Sequence, residues 1–600
     1  MTLDTELNAA LSEVRGGRPE AARRRLGSVL TQFPSAADAW RLSAIAARMC
    51  GDLAAAEEHL RESVRLAPAN PEAWNTLGLV LDDLGRPDDA VDAFERALSL
   101  KPDFEPAAIN LSRVKLRTGD ATGAADAVER FDRSPQALLV RANALRGLER
   151  VGEAAGLYTA LLNADRSNYR AAHGLGLAFL DLGRPEDALK VLDPLAAGGL
   201  AEAHYPRFAA LARLKRLDEA FDAAEAALTA DPTNAAALHG YAQLLYMTGA
   251  PEKIAPMFED RLVRAGHAAA VYASFLDVLV EMGDYARARD VASRAEARFG
   301  ATGWLVTRRI GIEVEAGRGD AAAGAADRAA ERGAGEDLAL AANMARAYLM
   351  AGRPHDAGPV IEAAVSCAPG DRFWTAMVAT HARAVGDAAA YDALVDMQTM
   401  VRTRRLEPPA SYNGLAAFND ELAKALRGLH EYAAEPLGQS LRGGAQTPTD
   451  LRHCKLPVVR DFFAMVERAF ADYRSALTPS ADHPLLGAIP DRFALEGAWS
   501  VKLGAGGRHV NHVHPEGWAS SVYYVDVPPQ VSGSPDREGW LKFGEPPFEV
   551  PGLEPHDFVE PRAGELTLFP SYLWHGTVPI KRGERLTIAF DISPARRGAR

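Results

Sequence analysis

The stretch GGRHVNHVHPEGWASSVYYVDVP, Gly506–Pro528, sets three histidines (His509, His512 and His514) ahead of a β-branched and aromatic run. His512 and His514 are two apart, so in an extended chain their imidazoles leave the same side, while His509 has the opposite parity. Two imidazoles at one strand end make part of a metal grip, and something distant must complete it. Downstream, FPSYLWHGTVPIKRGERLTIAFDI brings His575 just after one strand-like run and Arg585 ten residues later, opening the next. Two donors from one strand end and a third from a distant strand form a facial grip. It covers one side of an octahedral metal and leaves the other open.

The surroundings have the texture of a β scaffold. AWSVKL, SSVYYVDV, GWLKFGE, ELTLFP and RLTIAFDI, all after residue 497, are short alternating or β-branched runs separated by Gly and Pro turns. They read as an antiparallel barrel or jelly roll, with Trp518, Trp540 and Trp574 packing it. Upstream, Leu456–Leu477 has the periodicity of a helix, and SLRGGAQTPTDL (Ser440–Leu451) is polar and Gly-rich enough to be read as a loop. Leu415–Leu429 reads as one more amphipathic helix, and Pro408 and Pro409 stop the helix expected before it. The expected organisation is therefore 1–400 helical, 401–455 a linker helix and loop, and 456–600 the β domain with its flanking helix.

The first two thirds repeat. PEAWNTLGLVLDDLGRPDDAVDAFERALSLKP, Pro71–Pro102, places Trp74, Leu77, Gly78, Leu81, Ala90, Phe94, Ala97 and Pro102 on the pattern of the tetratricopeptide repeat. Large apolar residues line two antiparallel helices, Gly78 and Ala90 allow close approach, and Pro102 ends the second helix. Trp40 and Trp74 are one 34-residue period apart, as are Pro34, Pro68 and Pro102. The turn GRPxxA recurs at Gly17–Ala22, Gly85–Ala90, Gly183–Ala188 and Gly352–Ala357, with weaker copies at Gly249 and Gly283. The spacing drifts between residues 120 and 170 and again after 290. The repeat's aromatic residues are expected in the core, and the superhelix offers a concave face to a protein or peptide partner.

Composition narrows the class. A 600-residue chain with a net charge of −13 has no electrostatic reason to bind nucleic acid or an anionic membrane. The three cysteines, Cys50, Cys367 and Cys454, form no CxxC pair and fit a reducing compartment. Neither a signal peptide nor a run of apolar residues long enough to span a bilayer is apparent, so the expectation is cytoplasmic.

From these residues the C-terminal region resembles the iron(II)- and 2-oxoglutarate-dependent oxygenases, and more narrowly the bacterial branch in which tetratricopeptide repeats precede such a domain. The motifs that carry the likeness are RGGAQT (Arg442–Thr447), AWSVKL (Ala498–Leu503), NHVHPEGWASSVYYVDVP (Asn511–Pro528), GWLKFGEPP (Gly539–Pro547), GELTLFPSYLWHGTVP (Gly564–Pro579) and GERLTIAFDI (Gly583–Ile592). The resemblance implies an all-α repeat superhelix followed by a double-stranded β-helix (jelly roll), with Fe(2+) as cofactor and 2-oxoglutarate as co-substrate. It makes His512 and His575 metal ligands and puts His514 where relatives carry the carboxylate of His-x-Asp or His-x-Glu. A neutral imidazole there raises the net charge of the site by one. Sliding the motif by two residues makes Glu516 the third ligand instead.

The same resemblance assigns Arg585 to the distal carboxylate of 2-oxoglutarate, with Thr587 and Tyr524 beside it and Tyr523 facing away. Arg442, Gln446 and His509 become candidates for the substrate pocket, or simply structural groups. The implied activity is hydroxylation of a C–H bond in a protein or peptide substrate. The rivals are a cupin-like metal enzyme without 2-oxoglutarate and a repeat-based adaptor whose β domain is inactive.

Overall fold

The computed structural model describes residues 2–331, 337–430, 437–447 and 450–594. The chain divides into two compact units, Met1–Ala210 and Leu211–Arg600.

The first unit is built of antiparallel helix pairs, and the pair Pro71–Asp83 and Pro87–Leu100 shows why. Each helix starts with proline in its first turn, where the missing N–H costs nothing. The Asn70 side chain caps the first helix by accepting from the Ala73 N–H at 3.1 Å. Gly85, at φ 73°, makes the left-handed turn between the helices. Phe94 is fully buried against Gly78, where an added Cβ would lie 2.6 Å from its ring. The indole N–H groups of Trp40 and Trp74 donate to Pro34 O and Pro68 O at 2.8 and 2.9 Å, so the 34-residue period is also a hydrogen-bond period. Both tryptophans are only half-buried, at the start of their helices, whereas Phe94 and Tyr158 are core residues as expected. The drift after residue 120 has a local cause. The helix Ala121–Ala127 is only seven residues long, and Glu149 (φ 58°) takes the left-handed position that glycine holds elsewhere.

In the second unit helix pairs continue through Pro354–Cys367 and Arg372–Val385. A β region follows, with β1 (Arg402–Arg405), β2 (Leu441–Gln446), β3 (Phe493–His509), β4 (Ala519–Asp526), β5 (Leu541–Phe543), β6 (Asp557–Val559), β7 (Glu565–Pro570), β8 (His575–Thr577) and β9 (Arg585–Pro594). A six-stranded antiparallel sheet has the order β1-β7-β4-β9-β3-β2, and a three-stranded one the order β6-β5-β8. Phe543 of the small sheet meets Phe569 of the large one at 5.1 Å. The expected helices are present as Gly414–Arg427 and Pro457–Ala476. The second lays Phe462 against Tyr523 (5.0 Å) and Phe470 against Phe493 (4.1 Å), covering one face of the large sheet.

Two features of the expected linker differ. Arg402–Arg405 and Leu441–Gln446 are the two edge strands of the large sheet, so Pro408 and Pro409 follow a strand rather than end a helix, and RGGAQT is mostly strand rather than loop. Pro448 and Thr449 of the same stretch lie outside the described residues. The glycines that suggested a loop serve a bulge, for β2 shifts register between Arg442 and Gly444, where Gly443 (φ 65°) passes close to Gly507. The helical and β parts of this unit also share one core, continuous from Ile310 to Ile592. Polar contacts tie them as well. Trp574 Nε1 donates to Thr380 Oγ1 at 2.8 Å, and the Tyr572 hydroxyl donates to Leu394 O at 2.6 Å. Trp518 and Trp574 are buried and Trp540 is half-buried. The three cysteines are free thiols. No helix of the described residues is long and apolar enough to cross a membrane.

Candidate metal centre

Backbone hydrogen bonds bring the histidines together. After β3 the chain stays extended, and His512 exchanges two bonds with His575, N to O at 2.9 Å and O to N at 3.1 Å. His514 N donates to Ser571 O at 2.9 Å, continuing the same side-by-side run. His512 and His514 share parity, so all three imidazoles converge, with ring centroids 4.3 to 5.2 Å apart. One nitrogen from each lies within 4.8 Å of the others, the one such group of three or more His, Cys, Asp or Glu among the described residues.

The other ring nitrogen of each is already used. Nδ1 of His512 donates to Val510 O (2.9 Å) and Nδ1 of His575 to Leu573 O (2.9 Å). Nδ1 of His514 meets Asp591 Oδ2 at 2.5 Å. This network sets the tautomer, placing the hydrogen on Nδ1 and leaving the Nε2 lone pairs to converge. Burial, with His514 close by, pushes the His512 imidazole down to about 3, and burial likewise holds His575 well below the ordinary histidine range. Neutral imidazoles are the form a cation requires.

Glu516 is not brought to this group. It lies exposed in the turn after His514, with its backbone carbonyl accepting from Ser593 Oγ at 3.2 Å. His509, the last residue of β3, sits beside the group rather than in it. Its Nδ1 is 3.0 Å from Ser440 Oγ, which also lies 3.4 Å from His512 Nε2.

Arg585 opens β9 and is 2% exposed. Its Nη1 donates to Gly539 O at 2.5 Å and Nη2 to Thr577 Oγ1 at 3.4 Å, while Nε has no partner. No carboxylate pairs with it among the described residues. Burial lowers its pKa, opposed by Tyr524, whose ring is 5.6 Å away and whose hydroxyl is also buried without a partner. A buried guanidinium with a free N–H beside an orphan hydroxyl is a costly arrangement unless an anion enters. Thr587, next on the same strand face, has its hydroxyl 3.4 Å from Val501 O. Tyr523 faces the other way, as its parity requires, and donates to Asn419 Oδ1 at 2.6 Å.

Arg442 and Gln446 are not drawn into the imidazole group. The Arg442 guanidinium turns back onto the carbonyls of Gln439 and Leu441, the latter at 2.7 Å. Gln446 ends β2 opposite Val501. Ser440 and Asp591 escaped the sequence reading. A lone serine before a Gly-rich segment carries no signal. Asp591 did carry one, because a carboxylate at Arg585 plus six shares its strand face.

Comparison with known proteins agrees with this geometry. Residues 497–591 match the family model described as "Putative 2OG-Fe(II) oxygenase", and residues 7–71, 71–104 and 139–202 match tetratricopeptide repeat models. The chain carries tetratricopeptide repeats and a 2OG-Fe(II) oxygenase-family domain. Protein FlbA of Caulobacter vibrioides is 39% identical over 95 residues, which are 14% of this chain and 16% of that protein. Among solved structures, a tetratricopeptide repeat protein from Parabacteroides merdae is 12% identical with a TM-score of 0.35, covering 40% of this chain and 98% of that one. A tetratricopeptide protein from Thermus thermophilus is 24% identical with a TM-score of 0.27, covering 29% and 99%.

The oxygenase family implies iron(II) and 2-oxoglutarate, and the residues present fit both. Three convergent imidazole nitrogens suit a divalent first-row ion. The unpaired Nε of Arg585 and hydroxyl of Tyr524 suit a carboxylate.

Proposed function

We propose that this protein is an iron(II)- and 2-oxoglutarate-dependent dioxygenase that hydroxylates a C–H bond of a protein or peptide substrate. The observation that carries the reading is Arg585, a buried cation without a carboxylate partner among the described residues, in the same β scaffold as the three imidazoles. A metal domain that did without 2-oxoglutarate would have no use for it. The two facing antiparallel sheets support a double-stranded β-helix.

His512, His514 and His575 would hold iron, and Arg585, with Tyr524 and Thr587, would bind the distal carboxylate of 2-oxoglutarate. The bound pair supplies oxidative decarboxylation: dioxygen, 2-oxoglutarate and a C–H bond become carbon dioxide, succinate and an alcohol, one oxygen atom entering each of the last two. The chain's own part is to orient and to exclude water. The Nδ1 bonds lock each ring, while Tyr524, Phe543 and Phe569, all about 1% exposed, keep the interior dry. His509, beside His512, would line the substrate pocket. Arg442 and Gln446, on edge strand β2, would meet substrate outside the metal centre. The repeats would lay an extended peptide along their concave face, in keeping with the interactions such repeats form. Free thiols suit a reducing cytoplasm.

Anaerobic addition of iron(II) and then 2-oxoglutarate to the purified protein should produce a visible charge-transfer band, and oxygen should then release succinate. Absence of both the band and succinate would overturn the reading.

A further inference from the structure

We propose that Asp591 is the carboxylate of this metal centre, placed one hydrogen bond behind a ligand instead of on the metal. The proposal rests on the metal reading above. His512 and His575 each give their Nδ1 hydrogen to the neutral backbone carbonyl two residues earlier, Val510 O and Leu573 O. His514 departs from this pattern: the carbonyl two residues before it, His512 O, accepts from His575 N at 3.1 Å and not from the His514 ring. An anion takes that place, with Asp591 Oδ2 at 2.5 Å.

Asp591 is held for the task. It stands on the face of β9 that Arg585 and Thr587 share, and its other oxygen accepts from Ser520 Oγ at 2.6 Å. Ser520 therefore ties Oδ1 and leaves Oδ2 aimed at the imidazole. The Asp591 side chain is only 13% exposed, and His514 is its one ion-pair partner among the described residues. The Asp591 carboxylate thus fixes the Nδ1 side of the His514 ring and leaves Nε2 on the side of the other two imidazoles. A cation on Nε2 gains from this carboxylate, since an anionic acceptor on Nδ1 makes Nε2 a stronger donor than a carbonyl acceptor does. Three neutral imidazoles leave a divalent ion its full charge, and Asp591 offsets one unit of it through His514. Asp591 is thus a positioning residue, and His514 differs in donor strength from the two ligands beside it.

The test is anaerobic titration of the full-length protein with iron(II), and with cobalt(II) for its visible spectrum, in wild type, Asp591→Asn, Asp591→Glu, Ser520→Ala, His514→Ala and His512→Ala. Asp591→Asn should bind either metal about 10- to 100-fold more weakly. It should shift the cobalt bands while the metal-free protein melts as wild type does. Asp591→Glu should recover part of the affinity, and Ser520→Ala should lose less than Asp591→Asn. Wild-type affinity in Asp591→Asn, with loss in His514→Ala, overturns the proposal and leaves the metal centre standing. A loss as complete as that of His512→Ala makes Asp591 a ligand and overturns it too. If Asp591→Asn does not fold, unchanged affinity in both Asp591→Glu and Ser520→Ala overturns it. A wild-type protein that takes up no metal overturns this proposal and the metal centre together.

Discussion

His512 and His575, 63 positions apart in the chain, are paired through their backbones, each donating its N–H to the other's carbonyl at 2.9 and 3.1 Å. This isolated antiparallel bridge joins the segment after β3 to the start of β8. The relative placement of the two imidazoles is thus set by main-chain hydrogen bonds, which do not depend on a metal being bound.

Substitutions of these histidines should therefore act on metal binding and not on folding. His512→Ala and His575→Ala should each weaken iron(II) binding by more than about 100-fold, because a three-donor site cannot spare one. Glu516→Ala should bind as wild type does, since Glu516 lies exposed outside the group. Calorimetric titration under nitrogen distinguishes these outcomes, and metal loss in Glu516→Ala would refute the assignment.

Tyr524→Phe should move two properties in opposite directions. The hydroxyl is buried without a partner, so removing it should leave the co-substrate-free protein as stable as wild type or slightly more so. The same change should raise the 2-oxoglutarate concentration needed for half-maximal succinate release by about 10-fold, the worth of one hydrogen bond to a charged group. Arg585→Lys should cost more, about 100-fold, because an ammonium cannot make the forked contact. Equal 2-oxoglutarate requirements in all three proteins would contradict the assignment of Arg585.

In the repeats, Phe94→Ala should destabilise the first unit by about 3–5 kcal/mol, since it empties a site closed on the far side by Gly78. Glu149→Gly should do the reverse and stabilise by about 1 kcal/mol, relieving a left-handed backbone at φ 58° that glycine adopts without penalty. Urea unfolding followed by helical circular dichroism measures both. A destabilised Glu149→Gly would show that the turn holds through its side chain.

Acid should loosen the second unit through His430. Burial, aided by Lys502, holds this imidazole down to about 4, with Nε2 3.0 Å from Ser500 Oγ. The unfolded chain takes up the proton near pH 6.5 and the folded one only near 4. The contribution is complete above about pH 6.5 and disappears as pH falls towards 4. Melting temperatures measured between pH 7 and 4.5 should fall, and His430→Gln should flatten the slope. Identical slopes would exclude His430 as the source.

The helical repeat was legible because each piece of it is local. Gly78, Phe94, Gly85 and the Trp74–Pro68 hydrogen bond all fall inside one period, so a 34-residue rhythm records them. Where Glu149 replaces the turn glycine, the rhythm fades although the turn remains. The imidazole group was legible for a related reason: strand parity pairs His512 with His514, and a third donor was needed from elsewhere.

Composition, the repeat period and strand parity thus settle the helical superhelix, the β texture of the C-terminal region and the candidate donors, because each is a property of neighbours along the chain. Which carboxylate lies against the imidazole group is different. Glu516 is two residues from His514 and turns away, while Asp591, 77 residues distant, lies 2.5 Å from it. The strands at Arg402–Arg405 and Leu441–Gln446, and the core shared from Ile310 to Ile592, are of the same kind. They arise from pairing and packing between segments far apart in the chain, where no local periodicity leaves a trace and only the folded arrangement selects the partner.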